Sequence, residues 1–277
     1  MARRNFYDLL SDMKFSCKTE YAALIHLFKD ERCIWNGYTN VSVIEYIDKN
    51  YFRKLPFRGS YLNISSLMTD LKLYNPSFVD LDLLFLLCEF LIAVLPNNAI
   101  KMSDDLEKQA KVIFDNIHSV LEKTNHKLFK IERDKYIVVE KNKAATQASE
   151  LVEEKTIAIE LIEYNHYALK GDLDKKKRIL NDIANYLEPV LKSREFNGTR
   201  YSGLASDVGF LINNFHIRHN NKVGAKAQDY IVSLTDKQLE AWYDKIYNAL
   251  LLLIIAKENL VNEKELEELK KNYKWKT

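Results

Sequence analysis

The sequence predicts an all-α, mostly helical protein with a C-terminal antiparallel helix bundle and one small β-hairpin near residues 127–141. Three observations predict it. Glycine and proline are scarce, 7 and 4 in 277 residues; sheet-rich folds need both for their turns, whereas long helices exclude them. Hydrophobic residues make up 47% of the chain, enough to fill a core and to set disorder aside. Apolar residues also recur at spacings of three and four over most of the length, the period of a helix face.

The first clear helix start is Ser42-Val43-Ile44-Glu45, a capping-box spacing in which hydroxyl and carboxylate each satisfy an orphan backbone amide. Val43, Ile44 and Ile47 supply its apolar stripe. Asp80 or Ser77 opens the most hydrophobic segment, Leu81 to Leu95, which stops at Pro96-Asn97-Asn98. That segment carries Asp82 and Glu89 and is shorter than the roughly 20 apolar residues of a membrane span. It reads as a buried core helix, and the shorter run Ala249 to Ala256 reads the same way. Ser103 precedes Asp104 and Asp105, acids suited to the positive end of a helix dipole. That helix continues through Ala110, Ile113, Phe114, Ile117 and Leu121.

Two β-rich runs follow, Leu128–Ile131 and Tyr136–Val139, around the polar turn Glu132-Arg133-Asp134-Lys135. They predict a hairpin that packs on helices, because an isolated one is marginal in water. Residues 143–170 then read as one long amphipathic helix carrying Leu151, Ile157, Ile159, Leu161, Ile162 and Leu169. Gly171-Asp172 breaks it and caps a helix with Ile179, Leu180, Ile183, Ala184, Leu187 and Leu191. Gly198 and Gly203 bracket a connector before a helix from Leu204 to Phe215. Thr235-Asp236-Lys237-Gln238 repeats the capping-box spacing and opens a helix through Leu239, Trp242, Ile246, Leu250 and Leu253, ending near Lys257. Glu263 to Thr277 reads as a separate, solvated terminal helix. The expected organisation is an N-terminal helical region over 1–126, a hairpin boundary over 127–142, and a bundle of four main helices with a charged tail over 143–277.

Composition narrows the function classes. The formal charge is +2, from 41 basic and 39 acidic residues, so there is no global electrostatic case for nucleic acid or an anionic membrane. Cys17, Cys33 and Cys88 form no CxxC pair and point to buried free thiols in a reducing cytoplasm. The N-terminal MARRNFYDLLSDMKF lacks the uninterrupted apolar stretch of a signal peptide. A cytoplasmic protein is therefore expected, with no membrane partner. No glycine-rich phosphate loop, GxSxG or dinucleotide fingerprint is present, so no cofactor is expected. His118 and His126 lack a metal-ligand pattern, and no metal site is expected. Lys175-Lys176-Lys177-Arg178 reads as a solvated face, His166 as a packed or surface histidine, and Trp35, Trp242 and Trp275 as packing residues.

One segment concentrates chemistry: Asn213-Asn214-Phe215-His216-Ile217-Arg218-His219-Asn220-Asn221. Histidine moves protons near neutrality, arginine holds a phosphate in a fixed fork of donors, and asparagine orients either. Together they suit metal-independent RNA cleavage, with a histidine handling the 2′-hydroxyl or leaving-group proton and the arginine stabilising charge on phosphate. Arg218, His219, His216 and Asn214 are the candidate catalytic residues, and Asn220, Asn221 and Lys222 the candidate substrate-binding ones. The alternative reading is structural: asparagine ends helices because it tolerates the left-handed conformation, and a basic residue there suits the dipole.

The region from about Asn142 to Lys257 resembles a HEPN domain, the helical bundle of many antiviral, abortive-infection and toxin ribonucleases. The resemblance rests on Tyr164-Asn165-His166-Tyr167 and Lys170-Gly171-Asp172-Leu173 between long helices, on the Leu211 to Asn221 segment, and on the closing helix after Leu239-Glu240-Ala241-Trp242-Tyr243-Asp244. The family motif is an arginine followed, a few residues on, by a histidine. Arg218-His219 resembles its first part, and Asn214 with His219 keeps the spacing with asparagine in the arginine's place. The resemblance implies RNA as partner, homodimerisation that brings two motifs into one cleft, and a defence role. It also includes inactive, binding-only members. Two functions are thus expected: a defence-type RNA-binding protein or metal-independent ribonuclease, or a non-catalytic helical protein that binds a protein partner. The first places His216, Arg218 and His219 in an accessible cleft; the second has them capping a helix with local bonds.

Overall fold

The computed structural model describes residues 14–95, 103–132, 135–224 and 226–273. It is mostly helical, with eleven α-helices and two small two-stranded sheets among the described residues. The chain divides into two compact units, Met1–Val138 and Val139–Thr277.

In the first unit, α1 (Cys17–Ile25) runs into a π-helical turn, His26–Asp30. A ribbon of β1 (Ile34–Trp35) and β2 (Asn40–Val41) follows; two-residue strands are too short to show any alternation and leave no periodic signal. In α2 (Val43–Asn50) the capping box forms as the spacing predicts, with the Ser42 N–H donating to Glu45 at 3.1 Å. α3 (Ile64–Asp70) is capped by Asn63. Asp80, not Ser77, caps α4 (Leu81–Val94), accepting from the Leu83 N–H at 2.9 Å. Its Leu84, Phe85, Leu87, Cys88, Phe90, Leu91 and Val94 are buried, so α4 is the core helix expected. Glu89 accepts the Val138 N–H at 2.6 Å, which explains an acid on so apolar a helix. Ser103 caps α5 (Asp104–Lys123). β3 (His126–Glu132) and β4 (Lys135–Glu140) form the hairpin, and the boundary between units falls within β4. The Pro96-Asn97-Asn98 stop, the Arg133-Asp134 turn, Trp275 and residues 1–13 lie outside the described residues. Cys88 is buried, while Cys17 and Cys33 are only partly so.

The second unit is a helix bundle: α6 (Lys143–Leu151), α7 (Lys155–Glu163), α8 (Leu173–Ser193), α9 (Ser202–Asn214), the short α10 (Asp229–Ser233) and α11 (Asp236–Asn272). Two expectations are corrected here. Residues 143–170 are not one helix: Val152 and Glu154 adopt extended backbone, and α6 folds back on α7. The apolar phase slips at that point. The stripe Ala145, Ala148, Val152 would continue through Lys155, Thr156 and Ile159, yet the residues of α7 buried beyond the turn are Ile157, Glu160, Leu161 and Ile162. Neither does the last helix stop near Lys257. The residues after it include no glycine or proline, so nothing breaks the backbone pattern, and α11 runs on to Asn272. What stops is its burial, whose last buried residue among those described is Leu260. α11 packs on α6, α8 and α9, with Ile179, Ile183, Leu187, Ile246, Leu250 and Leu253 fully buried between them. No helix among the described residues is long and apolar enough to cross a membrane.

Candidate functional site

The chemistry-bearing segment begins where α9 ends. Phe215 and Ile217 turn inward, buried, with Phe215 against Trp242 at 4.5 Å between ring centroids. The intervening His216 takes the left-handed conformation, φ +60°, which costs a side-chain-bearing residue roughly 1–2 kcal/mol. Asn221 holds it there. The His216 N–H donates to Asn221 Oδ1 at 2.9 Å, and the Asn221 N–H donates to His216 Nδ1 at 3.1 Å. Asn221 Nδ2 also donates to the Lys226 carbonyl at 3.2 Å. The asparagine is buried, so these bonds fix the loop from within.

The clamped imidazole faces a cleft of about 360 Å³. One wall is the first turns of α8, with Asp172, Asp174 and Lys177; another is the start of α11, with Asp236, Leu239 and Tyr243. Lys222 closes it from the loop, 3.6 Å from Asp236. Lys177 Nζ lies 3.1 Å from His216 Nε2. Burial first, then Lys177 and Lys222, pushes the imidazole below its ordinary value, so the ring is neutral at pH 7. Burial likewise lowers Lys177, opposed by Asp174 and reinforced by Lys222. Two helix N-termini, those of α8 and α11, open at this cleft and add their positive dipole ends.

Of the residues singled out in the sequence, the structure brings His216 and Lys222 into the cleft. The others go elsewhere. Arg218 turns to α8, with Nη1 3.4 Å from Glu188 Oε1 and Nη2 donating to the Ala184 carbonyl at 3.4 Å. His219 Nδ1 lies 3.3 Å from Lys226 Nζ. Asn214 bonds back to the Phe210 carbonyl of its own helix, and Asn220 accepts from the Lys222 and Val223 amides. Asn221 supports His216 from behind.

Sequence reasoning missed Lys177. The run Lys175-Lys176-Lys177 is not a solvated face, because the helical step sends each lysine to a different neighbour. Lys175 pairs with Glu163 of α7 at 2.8 Å, and Lys177 reaches the imidazole. Lys176, buried, pairs with Glu240 at 2.9 Å and Asp244 at 2.8 Å on α11. The signal for Lys176 was present: it falls in phase with Ile179, Leu180 and Ile183, all buried. Around it the Tyr164 hydroxyl donates to Asp244 at 3.0 Å and the Gly171 N–H to Glu240 at 2.7 Å. Burial opposes ionisation of Glu240, but the Gly171 amide and Lys176 outweigh it and hold the carboxyl below its ordinary range. This network fixes α8 and the Gly171 turn on α11, and so fixes one wall of the cleft.

His166 lies against Tyr167 and forms a backbone bridge with Val139. Among the described residues no group of three or more His, Cys, Asp or Glu side chains is arranged to hold a metal ion. No protein-family model matches the chain, and neither a curated protein nor a solved structure matches it.

Proposed function

We propose that the Val139–Thr277 unit is a cytoplasmic, HEPN-like RNA-binding module of the defence type, a homodimeric metal-independent endoribonuclease working through the His216 cleft. The observation that carries this reading is the convergence of a neutral imidazole, two lysines and two helix N-termini on one cavity. Lys222 and the helix ends attract a phosphodiester, against the Asp172, Asp174 and Asp236 carboxylates of the same lining. The Lys177–His216 pair takes the proton of the 2′-hydroxyl. The 2′-oxygen then attacks phosphorus, and the bond to the 5′-oxygen breaks. A 2′,3′-cyclic phosphate remains, and the departing 5′-oxygen takes a proton from water. Arg218, the family-like residue, supports the loop through Glu188 and Ala184 and does not contact phosphate.

The test is cleavage of varied single-stranded RNAs in EDTA by wild type, His216→Ala and Lys177→Ala, each shown to fold. Cleavage should fall by about 10²-fold or more in both variants, the scale of a lost proton-transfer group. Wild-type protein that neither cleaves nor binds RNA at low salt would overturn the reading.

A second reading has its own support. Arg218, Asn214 and Asn220 are satisfied by local or internal bonds, and α11 beyond Leu260 exposes Leu266 and Leu269 on one face. A non-catalytic protein that binds a protein partner through that face explains both. Leu269→Lys would then abolish partner binding and leave His216→Ala without effect.

A further inference from the structure

Three consecutive lysines open α8, and two of them sit beside carboxylates. Lys177 is different: its hydrogen-bonding contact is an imidazole nitrogen, and among the described residues it forms no salt bridge. The charge state of that contact follows from counting donors. The Asn221 backbone N–H is a donor that cannot become an acceptor, and it points at His216 Nδ1. Burial, the first cause of the lowered imidazole, does not depend on the charge of Lys177; a neutral imidazole carries one proton, so here the proton belongs on Nε2. Nε2–H then faces Lys177 Nζ at 3.1 Å. An ammonium has no lone pair to receive it, whereas an amine does. With an ammonium at Lys177, one of the two ring nitrogens must set donor against donor in either tautomer; with an amine, both contacts are hydrogen bonds.

We propose that Lys177 is carried as the free amine and is the proton acceptor of the cleft, with His216 as the positioning residue that holds it so. Its use against a 2′-hydroxyl rests on the RNA reading; its charge state does not. The groups facing Lys177 are Asp172 and Asp174 from α8, His216 and Lys222 from the loop, and Asp236 and Tyr243 from α11. Asp174 favours the ammonium and Lys222 opposes it, while burial acts in the same direction as Lys222. The His219 carbonyl also lies near the ring and favours a proton there. A ring carrying Nδ1–H toward that carbonyl would accept from an ammonium, and the test separates these two arrangements.

Acetic anhydride reacts with amines only as free bases, so trace labelling of the full chain across pH 6–10, read by peptide mass spectrometry, reports each lysine. Lys177 should reach half-reactivity below pH 7, about three pH units or more below an ordinary lysine. His216→Phe should raise that midpoint, because the ring nitrogen that faces the amine is gone while its burial remains. Should that variant not fold, nitrogen NMR of the wild-type imidazole decides instead: the Nε2–H tautomer is expected at pH 7. A Lys177 midpoint above pH 7, an unchanged midpoint in His216→Phe, or an Nδ1–H tautomer would each overturn the assignment. RNA is absent from all three measurements, so failure here and failure to cleave RNA are separate results.

Discussion

Glu160 offers a test of the bundle's electrostatics that is independent of any ligand. It sits on α7, 9% exposed, and among the described residues its Oε2 has no hydrogen-bond partner. Burial first and the neighbouring Asp182 of α8 second push its carboxyl up to about 7, with Arg178 pulling the other way. From an ordinary 4.5 to about 7, at ~1.4 kcal/mol per tenfold step, ionising it in the folded state costs at most about 3.5 kcal/mol. Water reaching the pair reduces this to about 1–2 kcal/mol. The folded value lies above the unfolded one, so the associated stability is fully present below pH 4.5 and is lost as pH rises through about 7. Glu160→Gln keeps the shape and cannot ionise. Urea unfolding at pH 5 and pH 8, followed by Trp242 fluorescence in a background with Trp35 and Trp275 replaced by phenylalanine, should show the two proteins nearly equal at pH 5. At pH 8 the glutamine variant should be more stable by about 1–2 kcal/mol. Equal pH dependence in both proteins would refute the reasoning.

Three further outcomes follow from the same geometry. Lys176→Ala leaves Glu240 and Asp244 without their buried cation; it should lower stability by about 3–5 kcal/mol in chemical denaturation, far more than Lys175→Ala. Arg218→Ala removes bonds to Glu188 and the Ala184 carbonyl. It should lower the melting temperature at a cost of about 1–3 kcal/mol, while the rate of RNA cleavage by the protein that remains folded stays within twofold. Asn221→Ala empties a buried amide that bonds the His216 and Lys226 backbone. A loss of about 1–3 kcal/mol is expected, with a shift of the His216 imidazole resonances to those of a solvated ring.

What the sequence made legible is what is decided locally. Ser42, Asp80, Ser103, Asp172 and Thr235 cap helices because a side-chain oxygen needs only an amide three residues away. The break at Val152 was also written in the chain, as a slip in apolar phase that the overall amphipathic character of 143–170 masks. The cleft was legible only in part. His216 and Lys222 belong to one polar segment and could be found together, but Lys177 lies 39 residues before His216. Only the packing of α8 against the end of α9 joins them. Arg218 drew attention by its chemistry, and no local pattern reveals that its partners are Glu188 and a carbonyl of α8.

The lysine run at the start of α8 carries a consequence for how this helix can vary. Successive residues on a helix are separated by about 100° of azimuth, so Lys175, Lys176 and Lys177 occupy three compass bearings around one cylinder. Lys176, gripped by two acids, sets the zero of that compass. A slight roll of α8 about its own axis would swing Lys177 off the imidazole before any hydrophobic contact was lost. The alignment of the cleft is therefore governed from behind it, by a buried residue that is not part of its lining. Substituting arginine for lysine keeps the charge at the first two bearings, imposes one at the third, and should be tolerated at only the first.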